Sequence, residues 1–182
     1  MDGCVVWFTG LSGSGKTTTA SELLGLLRGA GVRAELLDGD ELRKTICKDL
    51  GFSREGRLEN IRRVAFVAEL LARNGVVALV SAITPYREMR EHARSAIGRR
   101  YIEVYVECPL EECERRDAKG LYAKARKNEI ERFTGISDPY DVPESPDVVI
   151  RTQDFSVADN ARTVLDFLRV HGWLPAHVEG CV

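Results

Sequence analysis

Five short runs rich in apolar and β-branched residues recur along the chain: Cys4 to Thr9, Arg33 to Asp38, Val76 to Ser81, Tyr101 to Glu107 and Val148 to Arg151. Several are almost continuously apolar, as strands buried on both faces of a sheet are. The stretches between them carry helical spacing instead, as in Ile61, Val64, Ala65, Ala68, Leu71 and Ala72, which Asn74-Gly75 closes as a C-cap. This alternation predicts an α/β fold, a three-layer αβα sandwich built on a five-stranded parallel sheet. Two stretches break it. Leu50 to Asn60 is rich in Arg, Glu and Gly, and Arg115 to Pro146 is a long polar connection between the fourth and fifth strands. A connection of that length is usually functional, and we read 115–146 as a lid on a single domain spanning 1–182. Gly172 to Val182 reads as a loose tail.

Composition narrows the class. The 182 residues are 44% hydrophobic and carry 26 Lys+Arg against 28 Asp+Glu, a formal net charge of -2. That suits one globular domain and rules out a disordered or collagen-like chain. Near-neutral charge lacks the electrostatic footprint of a protein that grips nucleic acid nonspecifically, so no nucleic-acid partner is expected. The apolar run Cys4 to Phe8 is too short for a leader or a membrane span, so the expectation is a cytoplasmic protein without membrane partners. Cys4, Cys47, Cys108, Cys113 and Cys181 lack zinc-ligand spacing and read as incidental thiols.

The strongest chemical signal follows the first strand. Gly10, Leu11, Ser12, Gly13, Ser14, Gly15, Lys16 and Thr17 form a phosphate-binding loop that opens a helix bearing Ala20, Leu23, Leu24 and Leu27. Glycines let backbone N–H groups turn inward around phosphate oxygens, the helix N-terminus favours negative charge, Lys16 reaches the β and γ phosphates, and Thr17 ligates Mg²⁺. A nucleoside triphosphate with magnesium is therefore expected. No Asn-Lys-x-Asp motif marks a guanine-nucleotide switch. The second strand ends in Asp38-Gly39-Asp40, where α/β proteins place their ligand sites. One carboxylate suits the magnesium shell and an acceptor's proton, and the other suits the acceptor itself; Asp40 also reads as a helix N-cap.

At this point the residues resemble a family. Asp38-Gly39-Asp40-Glu41-Leu42-Arg43, Gly51-Phe52-Ser53, Arg57 with Asn60-Ile61-Arg62-Arg63, Ile83-Thr84-Pro85-Tyr86-Arg87, Lys119-Gly120-Leu121-Tyr122 and Phe133-Thr134-Gly135-Ile136 follow one another as in adenylylsulfate kinases. The resemblance implies a P-loop NTPase fold and transfer of the ATP γ-phosphate to the 3'-hydroxyl of adenosine 5'-phosphosulfate (APS), giving 3'-phosphoadenosine 5'-phosphosulfate (PAPS). It places Asp40, Arg43, Phe52, Arg57, Asn60, Ile83, Thr84, Lys119, Arg132 and Phe133 on or beside the APS contacts. Arg43 and Arg57 suit an anionic phosphosulfate, and Phe52 and Phe133 suit an adenine. Lys16, Asp38, Lys119 and Thr84 become the catalytic set, Thr17 and Asp38 the Mg²⁺ ligands, and Arg115, Thr152 and Phe155 the candidates for the adenine of ATP. A homodimer is also implied. Two departures stand out: Gly56 replaces a common acidic residue, and Thr84 a usual serine that is sometimes described as a phosphoenzyme site. Direct in-line transfer needs no such relay. A kinase for another small acceptor and a regulatory nucleotide-binding module remain the alternatives.

Overall fold

The structure is a computed structural model and describes residues 3–175. Its five strands are β1 (Val5–Thr9), β2 (Ala34–Asp38), β3 (Val77–Ser81), β4 (Tyr101–Glu107) and β5 (Val148–Arg151). They pair in parallel in the order β2-β3-β1-β4-β5. The helices are α1 (Lys16–Gly29), α2 (Gly39–Lys44), α3 (Arg54–Arg73), α4 (Arg87–Ile97), α5 (Leu110–Arg116), α6 (Leu121–Arg126) and α7 (Val157–Val170).

Alternation along β1 divides the core. Val6 and Phe8 face α1 and α7, packing with Leu23, Leu27, Val164 and Leu168. Val5 and Trp7 face α3 and α4, packing with Val64, Ala68, Met89 and Ala93. Both faces are covered, so every residue of β1 is buried, which is why the strand reads as a continuous apolar run. A third, smaller cluster lies outside these layers. Cys108, Cys113, Tyr122, Ala125 and Phe133 form it, with Leu11, Leu110 and Ile136 against them.

Two boundaries differ from expectation. The helix expected around Ile61 begins at Arg54, inside the stretch read as irregular, and the Ser53 hydroxyl caps it by accepting from Gly56 N at 3.1 Å. Its first turns bury Arg57 and Asn60 on the face that Ile61 and Val64 continue, so no apolar period marks them. At the other end, Leu174 is buried and Trp173 packs on the core, so the segment read as a loose tail starts with residues held in place. Residues 176–182 lie outside the described residues. Among the described residues no helix is long and apolar enough to cross a membrane.

Candidate active site

The carboxyl ends of β1, β2 and β3 meet at one edge of the sheet, in the register Phe8↔Ser81 and Asp38↔Ser81. The loop from β1 to α1 starts at Gly10, where a Cβ would stand 2.7 Å from Val106 O, so only glycine lets the chain leave the strand here. It ends at Gly15, whose φ of 96° begins α1 without a side-chain cap and leaves the first helical N–H groups to a ligand. The Lys16 ammonium folds back into the loop and donates to Gly10 O at 3.0 Å and Leu11 O at 2.6 Å. Burial, the dominant cause, pushes its pKa down to about 8. An anion entering the loop would relieve that cost.

Thr17 stands one residue on, its hydroxyl donating to Asp38 Oδ2 at 2.8 Å with Ser81 Oγ also at 2.8 Å. Asp38 Oδ1 accepts from Asp40 N at 2.9 Å and Glu41 N at 3.2 Å, so Asp38, not Asp40, caps α2. One carboxylate thus anchors a helix and addresses the P-loop. Ser81 was missed in the sequence; a polar residue closing an otherwise apolar strand was the available signal. Among the described residues no three His, Cys, Asp or Glu side chains converge as a metal cluster. Oxygens from Thr17, Asp38 and Ser81 are instead hard donors of the kind that hold Mg²⁺ together with substrate phosphates.

Across from this group, Asp40 pairs with Lys119 from the turn between α5 and α6, both side chains largely exposed. Arg43 donates to Leu50 O and Gly51 O, and its guanidinium lies 4.5 Å from the centre of the Phe52 ring. Phe52 is 61% exposed, a flat apolar surface open to solvent. Arg57 is buried and holds two segments together. It donates to Phe52 O at 3.0 Å, to Thr134 Oγ1 at 2.9 Å and to Arg132 O, and pairs with Asp138 at 3.5 Å. Arg132 takes part through its backbone, at a φ of 53°. Asn60 Oδ1 is buried without a partner, an acceptor available to a ligand's donor. At Gly56, a Cβ would stand 2.7 Å from Gly51 O, so the loop bearing Phe52 packs against α3 where glycine alone leaves room for it.

Ile83 O accepts from Thr9 Oγ1 at 2.7 Å and Gly10 N at 3.4 Å, which ties this loop to the P-loop. Thr84 is buried with a φ of 49°, and its hydroxyl accepts from Trp7 Nε1 at 2.9 Å and donates to Ala82 O at 3.3 Å. A hydroxyl so engaged positions backbone. It caps no helix either, since α4 starts at Arg87 with Tyr86 in the cap position. Phe133 is 9% exposed and meets the edge of Tyr122 at 5.0 Å between ring centroids, so it is packed where Phe52 is open.

On the nucleotide side, Thr152 donates to Ser14 O at 2.7 Å. Arg115 turns to Glu112 and stays exposed, whereas Arg116 donates to Thr152 Oγ1 at 3.0 Å and Thr152 O at 2.9 Å. The arginine joined to the P-loop through Thr152 is therefore Arg116. Phe155 is 57% exposed. A cleft of about 460 Å³ lies between Leu11, Tyr105, Ile136 and Tyr140; Lys16, Asp38 and the acceptor-side arginines do not line it. Cys4, Cys47, Cys108 and Cys113 are free and buried, and Cys181 lies outside the described residues.

The family profile of adenylylsulphate kinase matches residues 2–151. An adenylyl-sulfate kinase of Synechococcus sp. (strain JA-3-3Ab) is 53% identical over 172 residues, 94% of this chain and 97% of the relative. That of Chloroflexus aurantiacus is 57% identical over 157 residues, 86% of this chain and 84% of the relative. A solved APS kinase of Mycobacterium tuberculosis, in complex with AMPPNP and APS, superposes with a TM-score of 0.90 at 48% identity, covering 92% of this chain and 98% of the other. A gluconokinase from Sinorhizobium meliloti shares the fold alone, at 15% identity and a TM-score of 0.61. With a P-loop, an aspartate at the end of β2 and Lys119 paired to Asp40 in one site, and with half of its residues shared with such relatives, the chain belongs to the adenylylsulphate kinase family.

Proposed function

We propose that the protein phosphorylates the 3'-hydroxyl of adenosine 5'-phosphosulfate with ATP, yielding 3'-phosphoadenosine 5'-phosphosulfate and ADP. The observation that carries this reading is the position of Asp38, bonded to Thr17 of the phosphate loop on one side and capping the helix that presents Asp40 and Arg43 on the other. The P-loop takes the triphosphate, with Lys16 leaving its backbone carbonyls for the phosphate oxygens. Thr17 and Asp38 would hold Mg²⁺, which when bound offsets charge on those oxygens. The acceptor's hydroxyl oxygen attacks the γ-phosphorus in line, the bond to ADP breaks, and the hydroxyl proton passes to Asp38.

Arg43, Arg57 and Asn60 address the anionic and polar parts of APS, and Phe52 and Phe133 its adenine, Phe52 as the open face and Phe133 as the packed one. Lys119 closes over the transferring group with the lid. Ile83 and Thr84 position the acceptor through a loop whose polar groups are already engaged, which favours direct transfer over a phosphothreonine. Arg116 with Thr152 takes the nucleotide side, in place of Arg115. The packed state of Phe133 favours a second reading, a different small acceptor needing only one stacking surface.

ADP release by the purified protein with MgATP, comparing APS with AMP, shikimate and gluconate and identifying the product by chromatography, tests both. PAPS formed with APS alone establishes the reaction. Turnover with another acceptor selects the second reading, and tight MgATP binding without turnover returns the protein to the regulatory class.

A further inference from the structure

The third apolar cluster joins parts of the molecule that the reaction requires to act together. It takes Leu11 from the P-loop, Cys108 and Cys113 from the end of β4 and α5, Tyr122 and Ala125 from α6 of the lid, and Phe133 from the acceptor wall. Tyr122 is 2% exposed, and its two ends do different things. Its hydroxyl donates to Ser12 O at 2.9 Å, inside the phosphate loop. Its ring meets Phe133 in an edge contact, centroids 5.0 Å apart and planes at 81°. The Asp117 carboxylate fixes the start of this helix by accepting from Tyr122 N and Ala123 N, both at 3.0 Å.

A trans peptide points its N–H opposite to its carbonyl. Holding the Ser12 carbonyl toward the lid therefore turns the Gly13 N–H the other way, toward the interior of the loop where phosphate oxygens bind. The same tyrosine sets where Phe133 stands. We infer that Tyr122 is a positioning residue that couples the two substrate sites: a filled phosphate loop, through Ser12 O and the Tyr122 ring, holds Phe133 in the place that favours the acceptor. The coupling is reciprocal, so the acceptor raises nucleotide affinity by the same factor. This rests on the reading of the acceptor as APS.

Tyr122→Phe tests it, since the substitution keeps the ring and its contact with Phe133 and removes only the hydroxyl. APS affinity is measured by titration with and without saturating Mg-AMPPNP, and the ratio of the two constants is the coupling factor. Wild type is expected to show a factor of about 10, and Tyr122→Phe a factor near 1, with AMPPNP itself bound about fivefold more weakly. Tyr101→Phe removes a buried hydroxyl from the main core and should leave the ratio at the wild-type value. A ratio unchanged in Tyr122→Phe, or one reduced equally in Tyr101→Phe, overturns the inference. So does a wild-type ratio of 1 in a protein that still converts APS to PAPS. Absence of APS turnover in wild type defeats the function proposed above instead, and the two failures are thereby told apart.

Discussion

The nucleotide side and the acceptor side of this site are built in opposite ways. The nucleotide side is one uninterrupted stretch, Gly10 to Thr17, in which Gly10, Ser14 and Lys16 are buried and Lys16 is bonded to carbonyls five and six residues away. The acceptor side is assembled from α2, the start of α3, the loop after β3 and the segment between α5 and β5, and it leaves Phe52, Asp40 and Lys119 in solvent. Arg57, buried where the second construction needs a fastener, does for the Phe52 loop and the segment from Arg132 to Asp138 what chain connectivity does for the P-loop. A phosphate is bound by backbone geometry that a local motif specifies, whereas a larger acceptor needs side chains gathered from afar.

The sharpest tests of that contrast strike its two sides separately. Lys16→Ala and Asp38→Asn should each lower kcat by about a thousandfold or more, read from ADP release, because each removes charge or a proton acceptor at the transferring group. Circular dichroism should show both variants folded. Arg57→Ala comes next: kcat/KM for APS should fall about a hundredfold and Tm by several degrees, since Asp138, Thr134 Oγ1 and Arg132 O lose a buried partner together. Mg-AMPPNP affinity should move by no more than about twofold in this variant. A comparable loss of nucleotide affinity would show that the two sides are not separately built.

The pH dependence addresses the nucleotide side alone. Lys16 in the empty loop has its pKa lowered from 10.5 to about 8, chiefly by burial. A lysine depressed in the folded state costs stability below the folded pKa, and that cost fades as pH rises from about 8 toward 10.5. Phosphate favours the charged form, so binding raises the pKa again. MgATP affinity should therefore hold below pH 8 and weaken above it by about tenfold per unit, with proton uptake near pH 8 measurable by calorimetry in buffers of different ionisation enthalpy. Flat affinity from pH 7 to 10 would break this prediction.

Smaller effects sharpen the acceptor side. Phe52→Ala should raise KM for APS about tenfold and shift Tm by less than about 2 °C, because the ring is exposed and its value lies in stacking.

The strands and the P-loop were legible along the chain, and what was not legible has specific reasons. The first turns of α3 were hidden because Arg57 and Asn60 occupy the buried face where apolar residues would announce a helix. Arg115 and Arg116 are adjacent and alike, and only the seating of α5 beside Thr152 decides which one reaches the P-loop. Ser81 matters through its register with Asp38, a pairing between residues 43 positions apart that no local pattern records.

Periodicity and the P-loop spacing by themselves determined the parallel sheet and a phosphate-binding loop, because apolar period and glycine geometry act over a few neighbouring residues, while the acceptor chemistry came with the family resemblance. Tertiary structure alone decided that Asp38 caps α2 while addressing Thr17, that the Thr84 hydroxyl is engaged with Trp7, that Phe52 is open while Phe133 is packed, and that Tyr122 touches both Ser12 and Phe133. Each of these depends on atoms brought together from distant segments, and burial and hydrogen bonding act through space, where separation along the chain has no bearing.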